Sequence, residues 1–203
     1  MKRIEFAVLV GLIVSIIVSS FTAFADSCEN VRSEVLRLHI LANSDSEADQ
    51  NLKLSVRDAI LERSGPLFDG ALTLNVALEM AEINLPQIEE IAREEIAEQG
   101  YNYDVRAYIC EMYFETRKYE DVTMPAGKYK ALRIEIGKAE GKNWWCVIFP
   151  TLCIPAAQGN AEINDVFKDQ EIDTVTSPKY EAKFAIIELF ERIKNRKLFA
   201  DFT

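Results

Sequence analysis

The stretch KYKALRIEIG at residues 128–137 decides the fold class of this chain. Leu132, Ile134 and Ile136 recur at every second position, and polar residues fill the positions between them. Successive strand side chains point to opposite faces, so this period of two predicts a β-strand with one buried face. The turn sequence PAG at 125–127 precedes the strand.

Three further segments are predicted as strands. Within 35–41, the apolar residues Leu36, Leu38 and Ile40 share one face. The other two segments, 103–116 and 144–149, are rich in β-branched and aromatic residues. Trp144 and Trp145 are neighbours in the last strand, so they should lie on opposite faces. Either both faces of the sheet are covered, or one indole is partly exposed.

Helices are predicted between and after these strands. Ser44 or Ser46 can cap a helix whose polar side chains, Lys53, Arg57 and Asp58, should face water. A second helical region spans 73–99, where Pro86 predicts two helices or one kinked helix. The last helix begins at Ser177-Pro178 and has a wide apolar face made of Ile186, Leu189, Phe190 and Ile193.

The order of elements is typical of one fold class. Residues 155–177 have no clear period and are predicted as loop. We therefore predict an α+β fold with helices packed on a mostly antiparallel sheet, as a single domain over residues 26–203.

Residues 1–25 have the layout of a secretory signal peptide. Two basic residues precede an uncharged run from Phe6 to Ala25, which ends in Ala-Phe-Ala. We predict cleavage after Ala25. The alternative is an uncleaved anchor, because the run approaches the roughly 20 residues that span a bilayer. Both place the rest of the chain on the outer face of the membrane, where cysteines can pair.

The charge of the chain narrows the classes of partner. Its formal net charge is −10 at pH 7. An acidic chain repels phosphate backbones, so nucleic acid is not an expected partner, and docking on anionic lipid is disfavoured as well.

The four cysteines are Cys28, Cys110, Cys146 and Cys153, and they allow three complete pairings. In a hairpin that turns at Phe149-Pro150, Cys146 faces Cys153 at disulfide distance. We predict that bond, with two buried free thiols as the alternative. An aromatic-proline turn is also compatible with a cis peptide bond.

No catalytic or cofactor motif is present. The chain has one histidine, His39, and lacks the HExxH, GxSxG and phosphate-loop patterns. On a strand beside Arg37, His39 is expected to be structural. We predict no catalytic residue, no metal and no cofactor.

Two blocks of sequence resemble the stage II sporulation protein R family of endospore-forming bacteria. The first reads RLHILANSDS at 37–46 and continues to VRDA at 56–59. The second runs from PAGKY at 125–129 to NWWCVIFP at 143–150 and then Leu152-Cys153. Thr151 and Ile154 depart from the family pattern, which usually has a proline and an aromatic residue there.

The resemblance implies a secreted signalling protein of endospore formation rather than an enzyme. Members of the family are made in the forespore and exported into the intermembrane septal space. There they activate a membrane-embedded aspartic protease of the mother cell, which then processes a sigma-factor precursor.

For the surface that meets this protease, we predict the strand–helix junction and the paired indoles: Asn43, Asp45, Asp49, Trp144 and Trp145. Arg57 and Asp58 are further candidates, although one of them can equally hold the helix to the sheet. One alternative function is a secreted hydrolase that uses His39 or a carboxylate pair. Another is a structural cell-envelope protein without signalling.

Overall fold

A computed structural model of the chain describes residues 3–119, 121–150 and 162–200. The strands are β1 (Leu36–Leu41), β2 (Val105–Phe114), β3 (Arg117–Tyr119), β4 (Val122–Met124), β5 (Gly127–Ile136) and β6 (Asn143–Phe149). The helices are α1 (Arg3–Ser33), α2 (Glu47–Ser64), α3 (Leu74–Glu98), α4 (Ile163–Val166), α5 (Asp169–Thr176) and α6 (Glu181–Ala200).

The chain divides into two compact units. The helical unit contains Met1–Arg32, Glu115–Gly127 and Asp169–Thr203. The sheet unit contains Ser33–Phe114 and Lys128–Lys168. That these units form one domain, as the sequence suggests, stays a prediction.

The sheet unit is built on a four-stranded sheet of order β2–β5–β1–β6. Its central strand β1 is parallel to β5, with Leu38 opposite Leu132, and antiparallel to β6, with Leu38 opposite Cys146. The α+β class is confirmed, and the sheet is partly parallel. The parallel pair is possible because α2 and α3 lie between β1 and β5 in sequence and provide the long crossover that such a pair needs.

Helices α2 and α3 pack on each other and on the sheet. Of the two alternatives predicted for Pro86, two separate helices are not formed, since α3 is one helix from Leu74 to Glu98. Pro86 has no N–H, so the carbonyl oxygen of Glu82 lacks its helical hydrogen bond. Both residues are exposed, so water can donate to that oxygen instead. Thr73 caps the start of the helix, where its side chain accepts a hydrogen bond from the Val76 N–H at 3.4 Å.

Strand β1 is buried on both of its faces. Leu36, Leu38 and Ile40 form the predicted apolar face and are completely buried. On the other face Arg37 is also completely buried, with its guanidinium carbon 4.5 Å from the Phe114 ring centroid. Its Nε donates a hydrogen bond of 3.1 Å to the Cys146 carbonyl oxygen. A buried cation is tolerated here because aromatic faces and a backbone acceptor surround it.

The structure corrects two sequence-based expectations about the part of the chain after residue 154. The stretch 155–177 was predicted as loop, but α4 and α5 lie within it; residues 155–161 lie outside the described part of the chain. The buried side of α5 is formed by Glu171, Thr174 and Val175, so it has almost no apolar periodicity to detect.

The second correction concerns α6. Its predicted apolar face is exposed along its length, at Ile186, Leu189, Phe190 and Ile193. Among residues 181–194 of this helix, the buried ones are instead Phe184 and Ile187. Composition showed that the helix is apolar but could not show which of its sides is covered.

Candidate partner-binding surface

The junction between β1 and α2 forms a hydrogen-bonded junction cluster, which consists of Asn43, Ser44, Asp45, Ser46 and Asp49. Asp49 is 5% exposed, and its carboxylate accepts hydrogen bonds from Asn43 Nδ2 at 2.9 Å and from the Ser44 hydroxyl. The hydrogen bond from Ser44, followed by that from Asn43, holds the pKa of Asp49 below its usual value. Ser46 Oγ accepts from the Asp49 N–H at 3.1 Å, which is one half of the predicted capping box.

The junction cluster also holds the loop between β5 and β6. The Lys142 N–H donates to Asp45 Oδ1 at 2.7 Å, and the Lys138 N–H donates to Asn43 Oδ1 at 3.0 Å. The Gly141 N–H donates to the Ala42 carbonyl oxygen at 2.9 Å. The hydrogen bonds of Asn43 and Asp49 thus give them a structural role, whereas Asp45 keeps an exposed side chain. That they contact a partner stays a prediction.

Lys53 belongs to the same network, and the prediction that it faces water is wrong. Its side chain is buried, and its Nζ donates to Gln50 Oε1 at 2.7 Å and to the Lys142 carbonyl oxygen at 2.9 Å. Burial, together with the nearby charge of Arg57, lowers the pKa of Lys53. The polar residues Asp49, Gln50 and Lys53 repeat at helical spacing, and this signal could have revealed a polar contact on that side of α2.

Trp144 forms a patch with two residues of α2. Its ring centroid lies 5.0 Å from the guanidinium carbon of Arg57, and Arg57 Nη2 lies 2.7 Å from Asp58 Oδ1. We call these three residues the Trp144 patch. In the β1–β6 register Trp144 is opposite Ile40, so the patch lies at the end of the sheet where the junction cluster begins. Trp144 keeps part of its indole exposed.

Trp145 lies on the other face of the sheet, as the strand period predicts. It is opposite His39 in the register, and its ring centroid is 5.4 Å from that of Phe114. Trp145 is partly exposed too. The structure therefore brings Trp144 together with the junction cluster and separates Trp145 from both.

His39 is a packing residue in this structure. It is 2% exposed, with ring centroids of Trp145 at 6.0 Å and Phe114 at 6.3 Å. Among the described residues neither ring nitrogen has a hydrogen-bond partner. Burial, and then the charge of Arg133, lowers the pKa of His39 to about 4. A general base must be accessible to its substrate, and its pKa must be near the pH at which the enzyme works. His39 is buried and its pKa is lowered, so it does not fit that role.

The remaining candidates for chemistry concern metals and thiols. In the described ranges no group of three or more His, Cys, Asp or Glu side chains is placed to hold a metal ion. Cys28 and Cys110 carry free thiols, so none of the three complete pairings is present. The predicted bond of Cys146 involves Cys153, which lies outside the described residues, and it stays a prediction. The peptide bond between Phe149 and Pro150 is cis, as that turn sequence allows.

The close approach of Gly141 to the junction cluster leads to a stability prediction. A Cβ atom at position 141 would overlap the Ser44 backbone carbonyl. We expect Gly141→Ala to lower the free energy of unfolding by about 2 kcal/mol, because backbone atoms must move to admit the methyl group. Urea denaturation of the full chain would measure this. Lys138→Ala is the control, since that side chain is exposed in the same loop and should change stability by less than about 0.5 kcal/mol. Equal denaturation midpoints for both variants would contradict the close packing of Gly141 against Ser44.

The blocks that build this surface can be compared with known proteins. A family model described as Stage II sporulation protein R matches residues 32–159, more than half of the chain. The chain belongs to the stage II sporulation protein R family. A relative named Stage II sporulation protein R, from Bacillus subtilis (strain 168), is 37% identical over 123 residues, which are 61% of this chain and 55% of the relative. The match thus spans about half of that relative's length. No solved structure matches the chain.

In this member of the sporulation protein R family, the matched region contains the junction cluster, the loop that it holds and the Trp144 patch. It does not include most of α1, nor α5 and α6. The surface described above therefore belongs to the part of the chain that defines the family.

Proposed function

We propose that this chain is an exported signal of endospore formation that activates a membrane-embedded aspartic protease of the mother cell. The protease would then process a sigma-factor precursor. In this proposal the chain is made in the forespore, acts in the septal space between the two membranes and is not an enzyme. Membership of the sporulation protein R family and the apolar helix at the start of the chain support it.

The Trp144 patch is the observation that carries the proposal. A partly exposed indole that is fixed by a neighbouring guanidinium is pre-ordered, so a partner can bury it at little conformational cost. Tryptophan and arginine are also the residue types that most often dominate binding energy at protein interfaces. Asp58 within the patch and Asp45 in the junction cluster are exposed acidic groups, which favour a partner surface with basic or hydrogen-bond-donor groups.

Co-expression tests the proposed function. The full chain, the candidate protease and its sigma-factor precursor would be produced together in a cell that does not sporulate. We expect cleavage of the precursor only when all three are present. Cleavage without this chain, or none with it, would contradict the proposal.

The Trp144 patch is tested in the same cells and by binding to the detergent-solubilised protease. We expect Trp144→Ala to weaken binding about 30-fold. This corresponds to a loss of about 2 kcal/mol of binding free energy, which is typical when a tryptophan at the centre of an interface is truncated. Ile83→Ala is the matched control, because Ile83 is an exposed apolar residue of α3 in the same unit. If both variants bind like the unmodified chain, the partner uses a different surface.

A conservative change at position 39 distinguishes the hydrolase alternative. We expect His39→Phe to keep full signalling, because a phenyl ring fits between Phe114 and Trp145 and no catalytic role is lost. Alanine at this position would leave a cavity and confuse stability with function. Loss of signalling in a folded His39→Phe protein would favour the hydrolase.

A further inference from the structure

Helix α1 is one continuous helix with two different halves. From Ile4 to Val18, every large apolar side chain is between 41% and 77% exposed, on all sides of the helix. A helix that is apolar all round and uncovered fits a lipid environment rather than water. It is the one helix among the described residues that is long and apolar enough to cross a membrane.

The second half of α1 is part of the folded helical unit. Phe24 is only 4% exposed and forms a core cluster with Cys28, Phe184 and Ile187. Its ring centroid lies 5.1 Å from that of Phe184 and 5.0 Å from that of Tyr180. The segment that a signal peptidase would remove therefore supplies a core residue of the unit.

A polar contact marks the boundary between the two halves. Lys183 Nζ donates hydrogen bonds to the Ser20 hydroxyl at 2.9 Å and to the Ser20 carbonyl oxygen at 3.2 Å. The same ammonium group lies 5.4 Å from the Phe24 ring centroid. Phe21 adds a ring contact of 6.3 Å with Phe190. The covered half of α1 thus begins directly after Ser20, at Phe21.

The length of the uncovered half matches a bilayer. Residues 3–20 form an α-helix about 27 Å long, close to the roughly 30 Å of a hydrocarbon core. Packing against α6 begins where that length ends.

We propose that the folded chain keeps α1 uncut, so that residues 3–20 span a lipid bilayer and residues 21–33 anchor the helical unit directly above it. The bond after Ala25 lies inside a helix, one residue beyond the buried Phe24. Proteases cut exposed, locally unfolded segments most readily, and packing against α6 withholds this bond from them. Cutting it would also remove the aromatic contacts of Phe24 from the core. This inference does not depend on the proposed protease partner.

The test is the state of the full chain in a bacterium that has a signal peptidase. We expect intact-mass analysis to find the chain with residues 1–25 attached, in a carbonate-washed membrane fraction and not in the medium. Protease added to cells without a wall should digest the domain from outside. Recovery of a folded chain that begins at Asp26 in the medium would overturn the proposal.

Three variants separate packing from the cleavage motif. Ala23→Leu removes a small residue that the peptidase needs, at an exposed position, and should change nothing. Phe184→Ala leaves the motif intact but loosens Phe24, and should raise the fraction of chain that begins at Asp26 at least tenfold. Lys183→Met removes the hydrogen bonds to Ser20 without opening the core, and it should also raise the cleaved fraction. It replaces Phe184→Ala as the test if that variant does not fold. Substantial cleavage after Ala25 in the unmodified chain, not increased by Lys183→Met, would overturn the proposal.

Discussion

Replacing Asp49 by alanine is expected to lower the free energy of unfolding by about 3 kcal/mol, because its carboxylate is a charged acceptor for two side-chain donors. Asn43 Nδ2 and the Ser44 hydroxyl would both lose their acceptor in a partly buried position. The loop at 137–142 is held through the same residues, so it should loosen as well. Urea denaturation at pH 7 would measure the loss.

The pH dependence gives this prediction its second readout. The folded chain holds the pKa of Asp49 below the usual value, so its ionised form stabilises the fold above about pH 4. That contribution is lost as the pH falls through the lowered pKa, and the difference between the unmodified chain and Asp49→Ala should shrink there. Glu47→Ala is the control, since Glu47 is an exposed acid in the first turn of the same helix. A difference that stays constant down to pH 2 would contradict the role given to this carboxylate.

Acid should destabilise the chain through His39. Its folded-state pKa of about 4 lies below the 6.5 of an exposed histidine, so protonation favours the unfolded chain. The associated stability is complete above about pH 6.5 and decreases as the pH falls towards 4, by roughly 3 kcal/mol in total. Arg133 adds to the effect by repelling the imidazolium, while Glu135 partly opposes it.

His39→Phe isolates this contribution from the many carboxylates that titrate in the same range. At pH 7 the variant should be at least as stable as the unmodified chain, because it removes two buried nitrogens that have no hydrogen-bond partner among the described residues. Between pH 7 and 4 its advantage should grow by roughly 3 kcal/mol. Parallel pH profiles from thermal or urea denaturation would show that His39 is not buried in its neutral form.

Local patterns were enough to predict most elements of the fold. The period of two in β1 and β5 follows from the pleat of a strand, and Ser46 before α2 follows from the need to cap free amides. Both signals depend on residues that are close in sequence. The polar helix α5 carried no such signal, because its buried side includes Glu171 and Thr174.

The candidate site was only partly predictable for the same reason. Residues at the junction were recognisable as helix caps and as part of a family block. Their hydrogen bonds to residues 138, 141 and 142 join positions almost a hundred residues apart, which no local period encodes. The strand period did separate Trp144 from Trp145 correctly, since alternation is a local property.

By itself, the sequence determined the four strands of the larger sheet, the helices α2, α3 and α6, the α+β class, the family and an apolar segment at the start of the chain. It did not reveal the short strands β3 and β4. The tertiary structure alone decided that β1 pairs in parallel with β5, that Arg37 and Lys53 are buried, and which side of α6 is covered. It also decided that α1 is one helix with an uncovered half and a half that packs in a core. Hydropathy measures how much a side chain avoids water, but only packing shows whether protein or lipid replaces the water.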